Sequence, residues 1–185
     1  VTGSNGKSTV VTLLGAMARR AGLDVRVGGN IGTPALDLIK EEEPDLYVLE
    51  LSSFQLETVH SLRPRAAVVL NVSADHMDRY HDLHAYAAAK QSIFRQAALQ
   101  VFHLDDPVVA ALVDRARPHV GFTHQQPAAN DYGLLEIDAV TWLVRGESRI
   151  MPASSICMTG QHNLTNALAA LALGEAAGIP LQKMI

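Results

Sequence analysis

Thr2-Gly3-Ser4-Asn5-Gly6-Lys7-Ser8-Thr9 stands directly before a run of apolar residues at helical spacing, and this feature constrains the fold most. A glycine-rich turn ending in Gly-Lys-Ser aims several backbone N–H groups at one point. The lysine adds a positive charge, and the Ser8 hydroxyl sits where a Mg²⁺ is held. Such a turn works where a buried strand hands over to a helix at the edge of a parallel sheet. Residues 2–9 therefore read as a grip for a nucleoside triphosphate. The loop departs from the general G-x-x-x-x-G-K-[ST] pattern, because Val1 stands where its first glycine belongs and Gly3 makes a tighter turn.

The rest of the chain fits an α/β fold, a mainly parallel sheet flanked by helices in the manner of P-loop NTPases, with a small antiparallel β extension. Val10, Leu13, Leu14 and Met17 recur at helical spacing from Lys7 to Ala21, with Gly22 as the stop. Asp24 to Val27 reads as a strand, followed by a flexible loop, Gly28 to Gly32. Thr33 and Pro34 read as the N-cap and first residue of a helix over Ala35 to Lys40. The continuous apolar runs Leu46–Leu49 and Ala66–Val72 suit strands buried on both faces. Asp82 to Ala98 reads as one long helix, Leu99 to Leu104 as a strand, and Pro107 starts a short helix. Asn163 to Ala177 reads as an Ala- and Leu-rich helix closed by Gly178 and Pro180.

Residues 1–185 are expected to form one domain, with 119–158 as a small β subdomain or edge extension, because Gly133–Ile137 and Thr141–Glu147 look antiparallel. Only Val1 precedes the phosphate loop, so the chain reads as part of a longer protein whose first strand and partner domains lie outside it. A net charge of -4 argues against a general nucleic-acid binder. The single cysteine, Cys157, leaves no internal disulfide and fits a reducing, cytoplasmic setting. No apolar run is long enough for a membrane span, and no signal-peptide pattern is read.

Four places carry candidate chemistry. Glu50 ends an apolar strand at the edge expected to hold the phosphate loop, where a carboxylate can hold the Mg²⁺ of a triphosphate; its alternative is a solvated strand end. His76, in Asp75-His76-Met77-Asp78, can ligate a metal or move a proton, yet a lone histidine is as readily a packing or surface residue. Lys90 lies mid-helix, where the residues alone give a solvated or ion-paired lysine. Asn163 and Asn166, three apart on a helix start, can read a purine edge or cap the helix. His60, His81, His84, His103, His119 and His124 carry no comparable signal.

In combination these segments resemble the Mur ligase family, ATP-dependent enzymes that form amide bonds in peptidoglycan precursors. The resemblance rests on Gly3–Ser8, Glu50-Leu51-Ser52-Ser53, Asp75–Asp78 and Gly160–Ala167, in that order, and covers essentially the whole chain. Gly28–Gly32, Leu49–Glu57 and Asp75–Tyr80 are most like its D-glutamate-adding branch. The resemblance implies a central ATPase domain between a UDP-binding and an amino-acid-binding domain. Its implied partners are ATP, UDP-N-acetylmuramoyl-L-alanine and D-glutamate, and the expected assembly is a monomer. It implies that Lys7 holds the β- and γ-phosphates, with Ser8 and Glu50 on one Mg²⁺ and His76 on a second. It implies a carbamylated Lys90, which replaces the solvated-lysine reading. It also implies muramoyl contacts from Asn30 and Ser52, and adenine-side contacts from Asn163 and Asn166. A related Mur-type or folylpolyglutamate-synthase-type ligase, or a P-loop nucleotide-binding module without ligase activity, remains as an alternative.

Overall fold

The computed structural model describes residues 1–185. Helix α1 (Lys7–Arg20) leads to strand β1 (Val25–Gly29), a 3₁₀ turn (Ala35–Leu38) and β2 (Leu46–Glu50). Helix α2 (Ser53–Thr58), β3 (Ala66–Val69), α3 (Leu83–Gln91), β4 (Leu99–His103), α4 (Pro107–Ala111) and β5 (His119–Phe122) follow. Three antiparallel strands come next, β6 (Tyr132–Ile137), β7 (Val140–Arg145) and β8 (Ser148–Pro152), and then α5 (Gln161–Ala176) and α6 (Leu181–Met184).

β1 and β2 pair in parallel, with Val25 beside Leu46 and Gly29 beside Glu50. β3, β4, β5 and β6 also run parallel. Val1 and Thr2 join the two groups. Leu51 N–H donates to Val1 O at 2.9 Å on one side; on the other, Thr2 N–H donates to Val68 O and Leu70 N–H to Thr2 O, both at 3.0 Å. The ladder order is therefore β1, β2, residues 1–2, β3, β4, β5, β6, β7, β8. The phosphate loop leaves this sheet between β2 and β3.

Alternation along β3 and β4 divides the core in two. Val68, Leu70 and Val101 face α1 and α5 in one cluster, while Ala67, Val69 and Phe102 face the α2–α4 side in the other. Helix α5 is apolar around most of its circumference because it is buried over every residue from Thr165 to Gly174. On α1 the buried positions are Val10, Val11, Leu14, Gly15 and Ala18; Leu13 and Met17 are half-buried against the same core.

Residues 119–158 continue the sheet. β5 pairs parallel with β4, and β6–β8 extend that sheet as an antiparallel meander whose last strand, Ser148–Pro152, was not apparent in the sequence. The expected helix over Ala35 to Lys40 shrinks to one 3₁₀ turn. Thr33 bridges to Gly28 instead of capping, and Ile39 returns to extended backbone. The helix expected from Asp82 to Ala98 ends at Gln91 and tightens into a 3₁₀ turn over Ser92–Phe94, with Asp82 as its N-cap. Gly28 and Gly29 belong to β1. No helix is long and apolar enough to cross a membrane.

Leu168 is fully buried in the α5 core, so Leu168→Ala is expected to lower unfolding free energy by about 2–5 kcal/mol in urea titrations. Leu36→Ala, at a position 79% exposed, is the control and shifts it by less than about 0.5 kcal/mol.

Candidate functional site

The phosphate loop is laced to the carboxyl end of β3. Ser4 N–H donates to Asn71 O at 3.0 Å, and Asn5 N–H to Asn71 Oδ1 at 2.8 Å. Asn71 Nδ2 returns a bond to Asn5 O at 3.0 Å, and Ser73 N–H donates to Ser4 Oγ at 3.0 Å. Gly6, the N-cap of α1, has φ 83°, a left-handed conformation that favours glycine. Any Cβ there would also strike Asn166 Oδ1. Because Gly6 offers no side-chain cap, the first N–H groups of α1 stay available, and with the helix dipole they favour an anion.

Two ammonium groups meet at this loop. Lys7 Nζ donates to Gly3 O and Ser4 O, both at 3.0 Å, and Lys90 Nζ donates to the same Gly3 O at 2.9 Å. The default of a solvated Lys90 is overturned, because the side chain is only 2% exposed. Its nitrogen lies 4.4 Å from the centroid of the Tyr86 ring. Tyr86, Ala87 and Lys90 form the buried face of α3. Burial, and next the Lys7 charge, pull the Lys90 pKa from 10.5 down to about 8, against a smaller opposing effect from Asp75.

Glu50 is 3% exposed at the tip of β2. Its Oε2 accepts from Ser8 Oγ at 2.8 Å and its Oε1 from Asn30 Nδ2 at 3.0 Å. Gly29, with φ 110°, lets the β1 backbone pass close to that of β2 here, since a Cβ on it would run into the Glu50 carbonyl oxygen. A hydroxyl and a carboxylate in contact beside an anion-binding helix end form an oxygen donor set of the kind Mg²⁺ takes. The solvated-strand-end reading fails for Glu50.

His76 lies at the mouth with φ 55° and a side chain 45% exposed. Its ring is 5.0 Å from Phe54 and 6.1 Å, edge-on, from Tyr86, so His76 and Lys90 both contact Tyr86. The structure also gives Ser52 a local task. Its Oγ accepts from Gln55 N–H at 3.2 Å, and its N–H donates to Gln55 Oε1 at 2.9 Å, a capping box that opens α2.

Asn163 Nδ2 donates to Thr159 O at 2.7 Å, a bond local to the helix start, whereas Asn166 is buried against the loop. Beside them opens a cavity of about 420 Å³ lined by Gly6 and polar residues, among them Asn5, Asn71, His103, His124 and Asn166, with no hydrophobic side chain. Sequence reasoning missed Asn71, His103 and His124. Their signal was position, since each lies at or just past the carboxyl end of a strand on the loop's edge of the sheet. A separate cavity of about 290 Å³, lined mostly by apolar side chains such as Leu14, Leu46 and Leu173, lacks this convergence of polar groups.

Fold and site together define a parallel α/β domain of the phosphate-loop class. The family model for the Mur ligase middle domain matches residues 1–174, and the chain belongs to the Mur ligase family. It is 57% identical over 185 residues to UDP-N-acetylmuramoylalanine–D-glutamate ligase of Nitrosococcus oceani and 49% identical over 186 to that of Acinetobacter baylyi. Each match covers 100% of this chain but 41% of the relative's length. Among solved structures it is similar to the UDP-N-acetylmuramate:L-alanyl-gamma-D-glutamyl-meso-diaminopimelate ligase of Neisseria meningitides, with TM-score 0.74 and 22% identity over 99% of this chain and 62% of that one. It is similar also to a Thermotoga maritima MurF ligase solved with ADP, with TM-score 0.73 and 20% identity over 100% of this chain and 46% of that one.

Isotope-edited NMR of the lysine ε-groups should show Lys90 titrating near pH 8, well below an ordinary lysine. Lys7→Met removes a repelling cation, so the Lys90 midpoint should rise while burial still holds it below 10.5. An unchanged midpoint in the variant would show that the two charges are not coupled.

Proposed function

We propose that this chain is the ATP-binding part of a cytoplasmic ligase that adds D-glutamate to UDP-N-acetylmuramoyl-L-alanine during peptidoglycan precursor synthesis. The observation that carries the reading is the convergence of Lys7, Lys90 and the Ser8–Glu50 pair on one glycine-rich turn. The relatives' name gives the substrates and product class.

In the proposed reaction the alanyl carboxylate attacks the γ-phosphorus of ATP, ADP departs and an acyl phosphate forms. The D-glutamate amine then attacks the acyl carbon, phosphate leaves, and the nitrogen loses a proton. Lys7 turns from Gly3 and Ser4 to the β- and γ-phosphates, while the N–H groups of Gly6 to Thr9 hold their oxygens, those of Ser4 and Asn5 being bonded to Asn71. Ser8 and Glu50 would hold one Mg²⁺, with Asn30 steadying Glu50 through its Nδ2, and His76 would serve the acyl substrate and a second Mg²⁺. The ions supply charge neutralisation at the phosphates. Asn30 and Ser52 line the muramoyl side, and Asn163 and Asn166 the adenine side next to the polar cavity. In this reading 1–185 is the central domain of a three-domain enzyme.

Lys90 is proposed to act as its carbamate. CO₂ adds to a neutral amine, the lysine nitrogen forms the N–C bond, and a proton is released, so a cation becomes a carboxylate. The depressed pKa supplies more free amine near neutral pH than an ordinary lysine has. The new negative charge also ends the repulsion with Lys7.

Lys7→Ala in the full-length ligase is expected to reduce ATP-dependent phosphate release to background when both acceptor and D-glutamate are present. Near-normal release would remove the phosphate role from Lys7. Lys90→Ala should lose activity that a small carboxylic acid in solution partly restores; absence of both rescue and a ¹³C-bicarbonate-derived carbamate signal counts against the modified lysine. Replacing D-glutamate by L-glutamate, meso-diaminopimelate or L-alanine tests the assigned amino acid.

A further inference from the structure

Three side chains that the proposed ligation does not use converge where β4 and β5 end: His103, Asp105 and His124. One ligand atom from each lies within 4.8 Å of the other two. His103 Nε2 stands 3.6 Å, and His124 Nδ1 4.0 Å, from Asp105 Oδ2. These separations are too long for hydrogen bonds. Ligand atoms around a tetrahedral ion with bonds of about 2.0–2.2 Å stand about 3.4 Å apart, so small rotations close the set.

Each group is already oriented. The His103 ring stacks on Phe122 with centroids 5.0 Å apart and planes 8° from parallel. Its Nε2 is shut off from solvent and has no hydrogen-bond partner. A buried ring nitrogen without a partner is unfavourable whether it carries a proton or a lone pair, and a metal ion satisfies the lone pair. His124 has a fixed tautomer. The Thr165 hydroxyl donates to Gln161 O at 3.2 Å, so it accepts from His124 Nε2–H, which leaves the lone pair on Nδ1, where the exposed Gln161 Nε2 stands at 3.3 Å and must give way to an ion. A ligating imidazole is usually oriented in this way, by a bond from its other nitrogen. Asp105 is held through Oδ1 by Thr123 Oγ1 at 2.6 Å and through Oδ2 by His124 N–H at 2.7 Å.

We propose that His103 Nε2, Asp105 Oδ2 and His124 Nδ1 form a binding site for a borderline divalent transition metal, Zn²⁺ being the reference ion. Two imidazoles and one carboxylate suit Zn²⁺ or Co²⁺ and disfavour Mg²⁺, which takes oxygen ligands. His103 and His124 both line the 420 Å³ polar cavity, so the ion borders it and takes its remaining ligand, water or a donor atom of a bound molecule, from that side. This site is separate from the Ser8–Glu50 oxygen pair.

The test uses the chain stripped of metal with a chelator and titrated with Co²⁺. Expected is uptake of about one ion with the visible d–d absorption of a low-coordinate nitrogen–oxygen site, displaced by Zn²⁺ and not by Mg²⁺. His103→Gln and Asp105→Asn should each weaken Co²⁺ binding by at least about tenfold, while Ser8→Ala leaves the band unchanged. Circular dichroism checks folding, and if His103→Gln disturbs the stack on Phe122, the isosteric Asp105→Asn decides. Absence of the band in the wild-type chain, or a band undiminished in the folded Asp105→Asn variant, overturns the proposal and leaves the three residues as a strand-end polar network.

Discussion

The backbone ladder around Val1 and Thr2 is the constraint on which the site depends. By bonding to β2 through Leu51 and to β3 through Val68 and Leu70, these residues fasten two groups of parallel strands into one surface. Parallel strands have a common carboxyl edge, so the loop that follows Thr2 emerges beside the tips of β2 and β3. Glu50 and Asn71 are placed there by register alone. The side chains that meet the loop come from four separate stretches of chain, and only this edge brings them together.

Electrostatics then shapes what the edge can accept. Lys7 and Lys90 donate to one carbonyl oxygen while Glu50 spends both oxygens on neutral donors. Positive charge is therefore concentrated at Gly3 and negative charge is held at the far side of Ser8. Under the proposed function, a polyphosphate would relieve the first and, with its cation, complete the second. Burial sharpens both effects, because water is largely excluded from Lys90 and Glu50.

Much of this was legible in the residues, unevenly. The Gly-Lys-Ser turn, the α1 periodicity and the apolar runs of β2 and β3 are local signals that the structure follows as elements, although β2 is not buried on both faces, since Tyr47 is exposed. Lys90 was not legible from local pattern: an Ala-rich helix with one lysine looks solvated until its packing partner is known. The combined motifs supplied what the residue pattern could not. Thr33-Pro34 misled because both residues favour a helix start, while pairing of Thr33 with Gly28 outweighed that preference. Ser52 was singled out only through the family resemblance, and the capping box with Gln55, a local signal left unread, accounts for its hydrogen bonds. The long helix expected to Ala98 was cut short by a 3₁₀ turn that carries Ile93 and Phe94 into the core beneath β3.

Helix α5 has one further consequence. Its second turn sets Asn166 against Gly6, and its far end places Gly174 against Met184 and near Leu14 of α1. A rod wedged at both ends transmits displacement instead of absorbing it. The glycine-rich turn thus shares one stiff chassis with α1 and α6.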